Sequence, residues 1–197
     1  MKKHIVTLKK LSACQDAIEY ASQFETLEEV WQKCERGDWM LCLAGKLSGE
    51  PETTSRKTLV LAACACARLS LKYVAEGETR PIKAIETAER WANGDTTVTL
   101  ETVRVAASAA YAAYAAVAAD AAAAYAAYAA YAAAATYAAV AADAATYAAT
   151  SAATYAAATY TATSAAAYAA GAARTETLKQ CADIVRGFYP HVPEAVI

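Results

Sequence analysis

From Val105 to Ala173 the chain is written mostly in alanine, tyrosine and threonine, with no glycine or proline before Gly171 and with Asp120 and Asp143 as its only charges. Alanine is the best helix former because it gives up no side-chain entropy, so such a run folds as helix rather than as strand or coil. A single helix over this stretch would be on the order of 100 Å long, against a radius of gyration of ~16 Å for a compact chain of 197 residues. The run is therefore expected to fold back at least once. Thr and Ser crowd together between Thr146 and Ser164 and compete with the helix for backbone hydrogen bonds, which marks the expected break. Tyr114, Val117 and Asp120 return as Tyr137, Val140 and Asp143, an internal repeat with a shift of 23 residues. Alanine faces allow close helix approach and tyrosines add buried area with a hydroxyl to spare, so these faces also suit a homo-oligomer.

Helix signals fill the rest of the chain. Ser12 with Gln15 and Thr26 with Glu29 fit the capping box, in which each side chain satisfies a backbone N–H of the other. They predict helices over 12–22 and 27–36. Gly37 is expected to close the second in the left-handed conformation, with Asp38 capping a third from Trp39. Residues 48–55, with Gly49 and Pro51, read as a loop. Arg56 to Glu76 is apolar on most sides and predicts a central core helix. Gly77 ends it, Pro81 suits the first turn of the next, and Gly94 stops that one. Thr99 is placed to cap the following segment, and an amphipathic helix over 174–188 ends before Pro190. The expected fold is all-α, a compact multi-helix bundle with long Ala/Tyr-rich antiparallel helices. It forms one domain over 1–197, divided into 1–104, 105–173 and 174–190.

A net charge of −2 supplies no attraction for phosphate backbones or anionic lipid, so neither nucleic acid nor membrane is an expected partner. The apolar stretch Ile5 to Leu8 is far too short for a signal-peptide core, which predicts a cytoplasmic protein. The six cysteines are then expected to be free thiols. Cys64 and Cys66 have C-x-C spacing, yet on a helix their side chains point roughly 200° apart, so no metal site is expected there.

His4 and His191 lie near opposite ends of the chain, outside the predicted helices, which leaves no Ser-His-Asp or Cys-His centre. No phosphate-binding glycine loop or H-E-x-x-H is present, and neither a cofactor nor an enzymatic role is expected. The candidate ligand-binding residues are Asp38, Trp39, Arg68, Arg80, Glu86, Arg90 and Trp91, with Asp120 and Asp143 as carboxylates that would answer the arginines. Guanidinium groups grip anions bidentately and indoles stack on planar groups, so together they would suit a small anionic or nucleotide-like ligand. The plainer reading has Glu86 and Arg90 pairing at i, i+4 on a wet face, the tryptophans filling core and the two aspartates keeping an alanine helix solvated.

The order Trp31-x-x-Cys34, Asp38-Trp39, Leu61 to Arg68 and Arg80-Pro81-x-x-Ala84-Ile85-Glu86-x-Ala88-x-x-Trp91-Ala92-x-Gly94, followed by an alanine-rich tail, resembles the immunity proteins of the Imm-five-like family of bacteria and phages. The resemblance spans roughly residues 12–190, and its most specific part is 80–94. It implies a helical protein that acts as antidote to a bacterial toxin, by binding.

Three functions follow. An immunity-type protein would neutralise a toxin or defence effector by binding it. A small-molecule binder, phage-encoded, would sequester a nucleotide signal used in host defence through an Arg/Trp pocket. An ice-surface role would need threonines along one helix face. Thr150 and Thr161 fit the 11-residue period this requires, whereas Thr136, Thr146, Thr154 and Thr159 do not.

Overall fold

The computed structural model describes residues 2–50, 52–74, 76–116 and 164–194. Among them are eight α-helices and no strand: α1 (Lys3–Lys10), α2 (Gln15–Ser22), α3 (Leu27–Lys33), α4 (Gly37–Leu47), α5 (Thr54–Arg68), α6 (Arg80–Ala92), α7 (Leu100–Ala116) and α8 (Ser164–Phe188). The all-helical expectation holds. The repeat partners Val117 to Asp143, the expected break and both Asp120 and Asp143 lie outside the described residues.

α5 is central, packed against α4, α6 and α8, while α7 lies along α6. Its buried side chains Leu59, Val60, Ala62, Ala63, Cys64, Cys66 and Ala67 occupy nearly every side of the helix, as a helix surrounded by others requires. It is shorter than predicted, ending at Arg68 instead of Glu76. The Ser70 hydroxyl donates to the Ala67 carbonyl, the Leu69 N–H closes on Cys66, and a 3-10 turn follows over Leu71–Tyr73. Cys64 and Cys66 do face apart: the Cys64 thiol points to the Ile85 carbonyl on α6 and the Cys66 thiol to the Cys181 carbonyl on α8. All six cysteines are free.

Several caps form as the sequence predicts. Thr26 and Glu29 make a full capping box on α3, and the Thr99 hydroxyl accepts from the Thr102 N–H ahead of α7. Gly94 (φ +83°) ends α6: its N–H bonds the Trp91 carbonyl and the Asp95 N–H bonds the Arg90 carbonyl, the paired bonds of a Schellman closure.

Others differ. Ser12 stands at φ +57° outside any helix, and Cys14 occupies the cap position of α2 without a side-chain bond, so the first capping box is not made. Residues 3–10, outside the predicted helices, form α1, which buries His4, Ile5 and Leu8; the His4 imidazole meets the Ala21 carbonyl at 3.1 Å. α3 stops at Lys33. Gly37 does not close it but begins α4, with Arg36 at the cap position and Asp38 inside the first turn. Gly37 is there for space, since it lies against Cys181 and Ala182 of α8. α8 starts at Ser164, ahead of the predicted Arg174, and runs through Gly171.

The chain after α8 straps back onto α3. The buried Trp31 indole donates to the Tyr189 carbonyl at 2.9 Å, and Gln32 donates to the Pro190 carbonyl at 2.6 Å. Glu28 accepts from the Val192 N–H and meets His191 at 2.8 Å. Arg186 donates to the carbonyls of Trp31 and Cys34. No helix among the described residues is long and apolar enough to cross a membrane.

Candidate binding surface on α6 and α7

α6 separates two kinds of residue by helical period. Pro81, Ala84, Ile85, Ala88 and Trp91 are buried toward the core. Arg80, Lys83, Glu86, Thr87 and Arg90 instead line an open groove, about 410 Å³ in volume, whose other wall is Thr102, Val105, Ala106 and Ala109 of α7. Three predicted site residues, Arg80, Glu86 and Arg90, therefore share one surface. Lys83, Thr87 and Val105 were missed; the i, i+3, i+7 spacing from Arg80 was the available signal for the first two, and Val105 had none, since it comes from α7. Val105 is 62% exposed, an aliphatic side chain left bare beside three cations.

The two arginines are held in fixed poses from behind. Glu78 accepts from the Arg80 backbone N–H and from its Nε, each at 2.9 Å, and from Nη2. The Arg80 guanidinium holds the Glu78 carboxyl down to about 2. Arg90 bonds Asp95 through Nε at 2.9 Å and Thr97 through Nη2 at 3.1 Å. The Asp95 carboxyl is itself held down to about 2, first by the Thr97 hydroxyl and N–H and then by Arg90. The expected Glu86–Arg90 pair does not form, because the turn at Gly94 brings Asp95 back beside Arg90. A guanidinium has five N–H donors, and among the described residues the Nη1 group of each arginine makes no hydrogen bond to protein. Both arginines are thus oriented while keeping donors for a partner.

Arg68, expected to converge with them, does not line the groove. It forks onto Glu89 at 2.8 and 2.6 Å, which raises its pKa, and it feels Glu86 only as a more distant charge. Trp91 is buried, with the Lys57 ammonium 5.4 Å from its ring centre. Asp38 is buried and takes a two-point bond from Arg36 at 2.8 and 2.6 Å; the same guanidinium lies 4.2 Å over the Trp39 ring. Trp39 then meets Tyr20, and Tyr20 meets Phe24, in a run of tilted rings. Asp38 and Trp39 lie on α4, and Trp39 lines a separate cavity among α1 to α4. The predicted residues thus fall into separate groups, and only Arg80, Glu86 and Arg90 act on one surface. Among the described residues no group of His, Cys, Asp or Glu is arranged to hold a metal ion. No family model matches the chain, and neither a curated protein nor a solved structure matches it.

Proposed function

We propose that this protein is a non-enzymatic binding protein of immunity type, which neutralises a toxin or defence effector by covering an acidic patch of it with the α6–α7 groove. The observation that carries the reading is the exposed Val105 set among Arg80, Lys83 and Arg90. Arginines already held in place lose little freedom on binding, and arginine is among the side chains enriched at interface hot spots. The resemblance to Imm-five-like proteins, strongest over residues 80–94, supports the same reading. The nucleotide-sequestering alternative asked for Arg68, Arg80 and Arg90 around one point, and their separate carboxylates favour a broad protein contact instead.

The test is protection. Cells expressing a candidate toxin encoded beside this gene should grow when the protein is co-expressed, and the two should co-purify. Arg80→Glu with Arg90→Glu should abolish both results while the helical circular dichroism is kept. Protection that survives the double reversal together with Val105→Asp places the contact elsewhere and removes this reading.

A further inference from the structure

We propose that the cavity lined by α1 to α4 and open to solvent on one side is a binding site for a small aryl carboxylate, independent of the α6–α7 surface. The cavity measures about 80 Å³ and lies where the small cluster of Ile5, Leu8 and Ala21 meets the main core, with Leu43 packed against both. A water needs about 10–15 Å³ on this measure, so the space takes on the order of six water-sized groups, the bulk of one six-membered ring.

The wall selects the class of occupant. Tyr20, Trp31 and Trp39 contribute ring faces or edges. Met40 and the thiols of Cys34 and Cys42 add polarisable sulfur, which contacts aromatic rings favourably. The rings are fixed rather than adaptable: Trp31 is tied to Tyr189, the Tyr20 hydroxyl donates to the Lys33 carbonyl at 2.8 Å, and Trp39 is clamped under Arg36. A site with rigid aromatic and sulfur walls suits a flat ring better than a flexible chain. One lining residue carries charge, the exposed Lys46, and among the described residues its ammonium has no carboxylate within ion-pairing distance. A ring seated in the cavity with an anionic group directed to solvent would meet that ammonium at the mouth.

The probe is benzoate, with benzyl alcohol as its neutral counterpart and hexanoate as an alkyl acid of similar bulk. Full-length protein labelled at the methionine methyls should show a saturable shift of the Met40 resonance on addition of millimolar benzoate. Lys46→Ala should weaken benzoate by roughly two- to fivefold, the worth of one exposed charge pair, and leave benzyl alcohol unchanged. Ala17→Leu should fill the space and remove both, and Ala13→Leu serves where Ala17→Leu fails to fold. Absence of a saturable Met40 shift overturns the site. Benzoate binding that ignores both Lys46→Ala and the filled cavity overturns it as well, and hexanoate bound as tightly as benzoate overturns the aryl preference.

Discussion

A β-carbon on Gly37 would stand 2.4 Å from the β-carbon of Cys181 and 2.7 Å from the backbone nitrogen of Ala182. The missing side chain at the start of α4 thus fixes how near α8 comes to it, and both α4 and α8 pack against α5.

Gly37→Ala should accordingly force α4 and α8 apart. The neighbours are the root of a side chain and main chain, neither of which can rotate away, so the cost is that of an overpacked core, about 1–3 kcal/mol or more. A chain of this size should lose roughly 2–4 °C of melting temperature per kcal/mol, read by circular dichroism at the helix band. An unchanged melting point would show that the two helices have slack.

Gly94→Ala tests conformation in place of space, because nothing lies within 4 Å of its would-be β-carbon and its φ is +83°. The left-handed backbone alone should cost about 1–2 kcal/mol, and Gly94→Asn should cost less. Urea unfolding with the slope unchanged would confirm a purely local effect. Because Asp95 is delivered to Arg90 by this turn, Gly94→Ala should also loosen that pair.

Arg56 is buried, and its Nε donates to the Gly49 carbonyl at 3.0 Å, with Nη2 on the same oxygen. Burial pushes its pKa below the ordinary arginine value. Arg56→Ala should remove the link that pins the loop before α5, at a cost of about 2 kcal/mol or more, since bonds from a charged donor are worth about 1.5–3 kcal/mol. Arg56→Lys should recover only part, because an ammonium cannot present two parallel donors to one carbonyl. Hydrogen exchange should localise the loss to residues around Gly49.

The Glu78 carboxyl has an ordinary value of 4.5 and is held at about 2 in the folded chain by Arg80. A lowered carboxylate contributes stability that is present above its unfolded value and is lost as pH falls toward the folded one. Stability from this pair should therefore decline between about pH 4.5 and 2, and Asp95 should decline over a similar range from its ordinary 3.8. Carboxyl carbon titration by NMR reads each group. Arg80→Met should return Glu78 to the ordinary range and leave Asp95 near about 2.

Local signals were legible wherever one residue's chemistry decides the outcome. Thr26 with Glu29, Thr99, Pro81 and Gly94 do what their side chains dictate, and the apolar run before Arg68 became the core helix. The failures share a cause, which is that tertiary neighbours were decisive. Gly37 carries the sequence sign of a helix stop, but the approach of Cys181 from the far end of the chain gives it a different task. Ser12 and Gln15 match a capping box, yet the chain enters α2 from a turn at Ser12. Arg68 ends the apolar run of α5, and its answer, Glu89, comes from another helix altogether. The groove was half visible: Arg80, Glu86 and Arg90 share a face by period alone, whereas Val105 joins them only once α7 lies along α6.

The strap from α8 to α3 has a consequence for the order of events during synthesis. Trp31 reaches its acceptor at Tyr189 across 158 residues, and Glu28 reaches Val192 across 164. α3 must wait for the segment after α8 to complete its hydrogen bonds, with the alanine-rich stretch emerging in between. Closing a loop grows dearer only logarithmically, by about 0.6 kcal/mol for each doubling of length, so lengthening or shortening the intervening segment should alter final stability little. The delay itself scales with the number of residues made between them, and it keeps the indole of Trp31 without its partner until Tyr189 has been made.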